Sequence, residues 1–497
     1  MVQMRKWRPL LNLEVTPSKA SYRKIVDGLA DAIHAGRLEP GAALPGTREL
    51  AAILDVNRKT VILAYEEAIT KGWLVSEPRR GTFVNMLFER SPGTHETLPN
   101  KDLFAPAFIS PALPPYFEEF QSSAAWIDGA LNKTMSFDNG APDHRLLPQT
   151  VLHRYYRNAM RTAFKSNWVR YGNGESSAKL RGALAEMLRR TRSLSVTPDH
   201  ICVTQGTQMA LQLAAGAIVR PGDVVVVERL SYPPAWAIFR ALGAEVVMVG
   251  VDQDGCRVDE IEALCQSRPV KMVYVTPHHQ FPTTVSMKAD RRQKLLLLAE
   301  SHGFTVIEED YDHEYHFEGR PYLPLASDAR QRHVIYIGSL SKLLGPSFRC
   351  GFIAAPPNLT DALNRMALLT SPQGDAVMQK MLADLIDDGE LKKHLRRVTR
   401  LYRARKDTLW ECLHSAFQDR ISVRAPEGGL ALWVEFGNDT AVDAMVKRAA
   451  DHGLIVRSGR QFSPFDDREN ALRLGFASMN HDEIAEAVKR LLYASKQ

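Results

Sequence analysis

The chain has 497 residues, 45% of them hydrophobic and 24% charged, which is typical of a globular protein with roughly two or three domains. No apolar run approaches the roughly 18 residues of a membrane span, so the sequence predicts no membrane domain. The five cysteines are scattered and include no CxxC pair, which predicts reduced thiols in a cytoplasmic protein.

Basic charge is concentrated near the N-terminus. The net charge of the chain is +6, and residues 1–90 carry 14 Lys/Arg against 10 Asp/Glu. This is the direction expected of a nucleic-acid-binding module, although a modest basic excess also fits an ordinary solvated surface.

Residues 18–84 have the pattern of three helices followed by a hairpin. Apolar residues first recur at helical spacing, and a second helix is predicted over 48–54. A tight turn then leads to Asn57, which can cap a third helix. Two short strands at 73–75 and 82–84 enclose a basic tip. This order predicts a winged helix-turn-helix.

In that fold the third helix enters the major groove, with its N-terminal residues nearest the bases. Those residues are Asn57, Arg58, Lys59 and Thr60. Arg58 or Lys59 could recognise a guanine edge. Phosphate contacts are predicted for Arg48, Arg79 and Arg80. The alternative is a small helical domain whose charges are merely solvated. The segments 36–51 and 57–65 resemble the GntR-family winged helix, which implies binding to a double-stranded DNA operator.

The next segments set the predicted domain boundaries. We assign residues 1–86 to the DNA-binding domain and 87–130, which are rich in proline and scattered aromatics, to a linker. From 131 to 497 short apolar strands alternate with amphipathic helices. This pattern predicts an α/β fold with a largely parallel central sheet, helices on both faces and a small C-terminal α/β subdomain.

Lys342 lies in the most informative motif of the second domain. It is flanked by Ser339 and Ser341 and precedes Arg349 by seven residues. This arrangement resembles the Schiff-base lysine of fold-type-I pyridoxal 5′-phosphate (PLP) enzymes. The resemblance implies that the lysine binds the cofactor aldehyde, while the hydroxyls and the arginine bind its phosphate.

Other motifs fit the same cofactor. The turn Gly206-Thr207-Gln208 lies between a predicted strand and helix, where backbone N–H groups can bind a phosphate. Tyr232 follows another strand and could stack on the pyridine ring, or simply belong to the core. Tyr311 could hydrogen-bond the ring hydroxyl.

A carboxylate beside the pyridine nitrogen would keep the ring protonated and therefore an electron sink. The acidic cluster before Tyr311 offers two candidates. Spacing from Lys342 favours Glu309 and residue identity favours Asp310; we prefer Asp310. The alternative is a solvated or helix-capping acidic cluster.

Two further features concern ligands. Arg473 lies inside an apolar strand and needs an anion, either a ligand carboxylate or an internal Asp/Glu. The adjacent His278 and His279 suggest a metal, but no third ligand has suitable spacing, so no metal site is predicted.

Taken in order, these motifs resemble the fold-type-I aminotransferase domain over 131–497. Tyr171 matches a family tyrosine that reaches the phosphate of the neighbouring subunit, which implies a homodimer. Fusion to a GntR-type winged helix resembles the MocR/GabR family of transcriptional regulators. The resemblance implies that PLP on Lys342, with or without an amine or amino-acid effector, modulates operator binding.

One departure concerns catalysis. Aminotransferases carry an asparagine where this chain has Phe281, so a donor to the ring hydroxyl is lost, which argues against full turnover. A residual transaminase half-reaction remains open. The rival hypotheses are an aminotransferase with an appended winged helix, and a repressor whose second domain is only a dimerisation scaffold.

Overall fold

The computed structural model describes residue 7 and residues 21–88, 135–166, 168, 175–319, 322–328, 332–371, 374–437, 440–463, 465 and 469–496. The chain divides into two compact units, residues 1–109 and 110–497. Tyr171 and most of the predicted linker lie outside the described residues.

The N-terminal unit contains three helices and a hairpin. The helices are α1 (Ser21–His34), α2 (Thr47–Leu54) and α3 (Arg58–Thr70), and the antiparallel strands are β1 (Leu74–Glu77) and β2 (Gly81–Val84). Its core is formed by fully buried aliphatic side chains from all three helices, including Leu29, Leu50, Leu54 and Val61. The side chain of Asn57 accepts a hydrogen bond from the backbone N–H of Lys59 at 2.8 Å, which confirms the predicted cap of α3.

The larger unit alternates strands and helices. Its strands are β3 (Met135–Ser136), β4 (Ile201–Thr204), β5 (Val224–Glu228), β6 (Glu245–Val249), β7 (Val251–Asp252), β8 (Gly255–Cys256), β9 (Val270–Val275), β10 (Thr305–Asp310), β11 (Val334–Ser339), β12 (Gly351–Ala354), β13 (Ile421–Val423), β14 (Ala431–Phe436), β15 (Leu454–Ile455), β16 (Arg457–Ser458) and β17 (Ala471–Gly475). Its helices are α4 (Gln149–Lys165), α5 (Glu175–Arg192), α6 (Thr207–Ile218), α7 (Pro233–Ala241), α8 (Val258–Ser267), α9 (Ala289–His302), α10 (Ser341–Leu344), α11 (Pro357–Thr370), α12 (Ala376–Asp387), α13 (Glu390–Phe417), α14 (Val442–Asp451) and α15 (His481–Ser495).

Seven strands form the central sheet, in the order β4-β12-β11-β10-β9-β5-β6. All pairings are parallel except those of β12, which is antiparallel to both neighbours. The valine run of β5 shows why these strands are apolar throughout. Val225 and Val227 belong to the core on one face, whereas Val224 and Val226 belong to the core on the other. Since β4 and β11 are both antiparallel to β12, they run in the same direction, and the carboxyl ends of six strands lie at one edge of the sheet.

The C-terminal part forms a second, antiparallel sheet in the order β13-β14-β17-β16. Helices α13, α14 and α15 contribute buried side chains to the same hydrophobic core as this sheet, among them Leu409, Met445 and Leu491. The α/β fold class with a C-terminal subdomain is therefore confirmed. No helix in the described ranges has the length and apolar character needed to cross a membrane.

Candidate functional site

A cavity of about 590 Å³ lies at the carboxyl edge of the central sheet. It lies within the size range of small-molecule sites. It is lined by Asn139, Thr207, Gln208, Tyr232, Tyr274, Thr276, Phe281, Glu309, Tyr311, Ser339, Ser341, Lys342 and Arg349, together with three prolines. The cavity thus brings together residues that are widely separated in the sequence.

The amine of Lys342 lies inside this cavity. Its Nζ donates hydrogen bonds to the carbonyl oxygens of Asn139 at 3.1 Å and Gly140 at 2.9 Å. Burial lowers the pKa of Lys342, although the carboxylate of Asp138 opposes that effect. A lowered pKa makes the neutral, nucleophilic amine more accessible near neutral pH. Sequence reasoning missed the loop 138–140, because its backbone carbonyls leave no residue-specific signal.

The phosphate turn is built around Gly206. Its φ of +91° is in the region that favours glycine, and a Cβ there would lie 3.2 Å from the Cζ atom of Arg349. Arg349 donates from Nη2 to the carbonyl oxygen of Gln205 at 2.9 Å. Helix α6 begins at Thr207, so its unpaired N–H groups and the guanidinium of Arg349 lie at the same end of the cavity.

The acidic cluster on β10 is divided between the two faces of the sheet. Side chains alternate along a strand, so Glu309 points into the cavity while Glu308 and Asp310 point away. Glu309 accepts a hydrogen bond from the hydroxyl of Tyr274 at 2.5 Å, and burial raises its pKa to about 7. The preference for Asp310 as the cavity carboxylate was therefore wrong.

Asp310 has a different partner. It forms an ion pair of 2.6 Å with Arg192 and accepts a hydrogen bond of 2.8 Å from the hydroxyl of Tyr336. Burial by itself would raise the pKa of Asp310, but the charge of Arg192 outweighs it and holds that pKa well below its usual range. Both members of the pair are about 98% buried, so Asp310 is engaged in a contact inside the fold and is not available to a ligand.

Aromatic rings form one wall of the cavity. Phe281 makes edge contacts with Tyr232 at 5.6 Å, with Tyr311 at 5.8 Å and with Phe462 at 5.5 Å between ring centroids. The hydroxyl of Tyr311 donates to the carbonyl oxygen of His279 at 3.0 Å, and Gln208 contacts the hydroxyl of Tyr232 at 3.5 Å. The wall therefore contains Tyr232, which was predicted to stack on the pyridine ring, and the apolar residue Phe281.

Arg473 lies behind this wall, with 1% of its surface exposed. Its guanidinium carbon is 4.6 Å from the centre of the Phe281 ring, and Nη1 donates to the carbonyl oxygen of Pro282 at 2.6 Å. Its Nε has no hydrogen-bond partner, and within the described ranges no carboxylate lies within ion-pair distance of it. Among the described residues, therefore, no Asp or Glu serves as its internal partner.

The structure corrects the sequence argument about the adjacent histidines. His316 folds back onto His278 and His279, and ligand atoms of all three rings lie within 4.8 Å of one another. The expectation that a third ligand is missing was wrong.

In the N-terminal unit, most of the predicted DNA contacts are exposed. Arg48, Arg58, Lys59, Arg79 and Asn57 are exposed, and Thr60 is half-buried. Arg58 donates from Nε to the hydroxyl of Thr47 at 3.3 Å, which links the start of α3 to the start of α2.

The second arginine of the wing has partners inside the unit. Arg80 pairs with Glu77 at 2.5 Å, and its guanidinium lies 5.7 Å from the ring centre of Phe83. Part of its charge is therefore compensated within the wing.

Comparison with protein families assigns the two parts of the chain to two different families. Residues 133–491 match the family "Aminotransferase class I and II", and residues 21–84 match "Bacterial regulatory proteins, gntR family". The fold and the cavity thus define an aminotransferase-like domain joined to a DNA-binding winged helix.

Two named regulators match this chain over most of its length. The probable rhizopine catabolism regulatory protein MocR of Rhizobium meliloti is 29% identical over 95% of this chain and 92% of its own length. The HTH-type regulator TauR of Rhodobacter capsulatus is 28% identical over 94% of each chain.

The aminotransferase-like part also has solved relatives. LysN of Thermus thermophilus, an alpha-aminoadipate aminotransferase complexed with a phosphopyridoxyl-leucine, is 27% identical with a TM-score of 0.68, over 77% of this chain and 98% of that one. The multiple substrate aminotransferase of Thermococcus profundus is 27% identical with a TM-score of 0.69, over 76% and 94%.

The chain belongs to the aminotransferase class I and II family and, with its GntR-type domain, is a PLP-dependent transcription regulator of the MocR type.

Proposed function

We propose that PLP bound through Lys342 controls how tightly this regulator binds its operator. The observation that carries the proposal is the coexistence, in one chain, of an exposed DNA-reading helix start and a cofactor cavity around a buried lysine. A protein that only tethered an enzyme to DNA would not need its cofactor for DNA binding.

The cavity residues fit the three chemical parts of PLP. Lys342 would hold the aldehyde carbon, and the turn at Gly206 with Arg349 and Ser341 would hold the phosphate. Glu309 would accept a hydrogen bond from the protonated pyridine nitrogen. When bound, PLP supplies an electron sink for chemistry at an amine carbon. The residues around it position it and exclude water.

We also propose that the regulator is a homodimer in the cytoplasm. Leu369 is 88% exposed and Phe164 is 64% exposed, and contact with a second copy of the chain would remove such apolar side chains from water. The expected contact of Tyr171 with the partner's phosphate belongs to the same proposal.

The effector is proposed to be an amine that carries a carboxylate. Arg473 is buried without a carboxylate partner in the described part of the chain, and a buried guanidinium is costly unless an anion joins it. Its charge also contributes, after burial, to the lowered pKa of Lys342.

Operator binding measured with PLP removed and restored tests the proposal. A DNA fragment from upstream of the neighbouring operon should bind with different affinity to the PLP-free and PLP-loaded proteins. An α-amino acid should change the affinity of the loaded protein more than the amine lacking its carboxylate.

Arg473→Gln should reduce amino-acid affinity about tenfold to a hundredfold, because it removes a charge-assisted hydrogen bond worth about 1.5–3 kcal/mol. Arg396→Gln is the matched control, since it removes the same charge from an exposed position on helix α13. Equal responses of both variants, or operator binding indifferent to PLP, would contradict the proposal.

A second function, transamination, is limited by Phe281. The side chain at 281 is a buried hydrocarbon packed between three aromatic rings, so it offers no hydrogen bond to the cofactor. We therefore expect at most a half-reaction, detectable as a single turnover with amino acid in excess.

The two carboxylates at the end of β10 give a paired prediction. Glu309→Gln should weaken PLP binding about tenfold to a hundredfold and alter the absorbance spectrum, because a neutral amide no longer stabilises a protonated pyridine. Asp310→Asn should leave the spectrum unchanged and lower the free energy of unfolding by about 3–5 kcal/mol, since Arg192 loses its buried partner. Spectrophotometric PLP titration and chemical denaturation measure the two effects, and the reverse pattern would assign the pyridine nitrogen to Asp310.

A further inference from the structure

Three histidines form a cluster next to the cofactor cavity but outside its lining. His278 and His279 follow β9, and His316 lies in the segment after β10. The ring centroid of His278 lies 4.4 Å from that of His279 and 6.2 Å from that of His316. None of the three is among the residues that line the cavity.

The ring nitrogens of this cluster lack hydrogen-bond partners. Both nitrogens of His278, both nitrogens of His316 and Nε2 of His279 are buried and unpaired. His278 and His279 are each at least 97% buried. A neutral imidazole has one donor and one acceptor, so unpaired nitrogens in such a place require a bound water or ion.

The remaining nitrogen of His279 is already oriented. Its Nδ1 is 2.7 Å from Oδ1 of Asp312, with both side chains buried. A carboxylate on one ring nitrogen fixes the tautomer and leaves Nε2 free to bind a metal, which is the usual arrangement behind a metal-ligating histidine.

Glycine backbone borders the cluster. A Cβ at position 428 would clash with the carbonyl oxygen of Tyr315 and lie 2.7 Å from Nε2 of His279, so only glycine fits beside that nitrogen. The backbone of Gly428 pairs with that of His316, which holds the third ring in place. The residue His316 is partly exposed, although both of its ring nitrogens are buried. The nearby cation Arg192 is compensated by Asp310.

We propose that His278, His279 and His316 bind one divalent transition-metal ion of the zinc class, with the fourth position open. Three imidazoles are a common ligand set for Zn²⁺, and Zn–N bonds of about 2.0–2.1 Å place tetrahedral ligands about 3.3 Å apart. The ligand atoms lie within 4.8 Å of one another, so the rings need only a small inward movement. Because the carbonyl oxygen of His279 accepts the hydroxyl of Tyr311, metal binding would also steady the cavity wall.

Equilibrium dialysis of the full-length, PLP-loaded protein against Zn²⁺, followed by elemental analysis, should give one tightly held ion per chain. Replacement by Co²⁺ should produce the intense ligand-field bands of a four-coordinate site, at wavelengths beyond the cofactor absorption. His316→Gln and His278→Gln should abolish both signals, and Asp312→Asn should weaken binding about tenfold to a hundredfold.

His153→Gln provides the control, because His153 is exposed on α4 far along the chain from the cluster. Circular dichroism establishes that each variant is folded. If His278→Gln does not fold, the partly exposed His316→Gln decides the question. Weak Co²⁺ spectra unaffected by His316→Gln, or an equal loss in His153→Gln, would overturn the proposal and leave surface histidines as the binders. None of these outcomes depends on operator binding, so the metal site can fail while the proposed function stands.

Discussion

The Lys342→Ala variant is expected to lose covalent PLP entirely and, with it, the cofactor's effect on operator affinity. The amine of Lys342 lies in the cavity between the phosphate turn and Glu309, and burial lowers its pKa toward the nucleophilic form. Alanine leaves the phosphate contacts in place but removes the only bond that fixes the aldehyde carbon. Borohydride reduction followed by mass spectrometry should therefore add a phosphopyridoxyl group to the wild type and none to the variant.

The matched control is Lys489→Ala, which removes an exposed lysine from helix α15. It should keep both the mass increment and the PLP response. Operator binding by Lys342→Ala that still changes on addition of PLP would show that non-covalent PLP is sufficient. A reduced adduct on another lysine would place the cofactor elsewhere.

Most of the predictions about domains depended on local sequence motifs. The winged helix depends on contacts within about 65 residues, so spacing and capping signals such as Asn57 determine it directly. Likewise, Gly206 and Lys342 each lie at a strand end, and in a parallel sheet those ends share one edge. The sequence therefore predicted which segments meet.

The errors concern which way a side chain points. Asp310 and Glu309 are adjacent and chemically similar, and a shift of one residue along a strand reverses the face. The two carboxylates are distinguished only by their partners. Arg192, the partner of Asp310, lies 118 residues away in the chain. No local pattern contains that information.

His316 was missed for a related reason. Rules for metal ligands rely on short spacings along a helix or hairpin, whereas His316 reaches the two earlier histidines because its backbone pairs with Gly428. That pairing belongs to the contact between the segment after β10 and the loop before β14. It is a tertiary contact that composition does not encode.

Arg58→Ala is expected to weaken specific operator binding by about 1–3 kcal/mol, roughly fivefold to 150-fold, with a much smaller effect on random DNA. Arg58 is the first residue of α3 and is exposed, and its contact with Thr47 holds the guanidinium at the N-terminal end of the helix, which is expected to face the bases. Arg80→Ala should weaken specific and random binding alike and reduce the salt slope by about one, since a wing arginine is expected to contact phosphate. Its pairing with Glu77 should make even that loss modest.

Lys71→Ala is the control for this comparison. It removes the same charge immediately after the other end of α3, about 20 Å from Arg58 at 1.5 Å per residue, where Lys71 already pairs with Glu67. Fluorescence anisotropy at several salt concentrations, on operator and scrambled duplexes, separates the two roles. A residue that reads a base must distinguish the two sequences. If Arg58→Ala lost affinity equally on both duplexes, with the salt slope of a single phosphate contact, the base-reading role would be assigned to Lys59 or Asn57 instead.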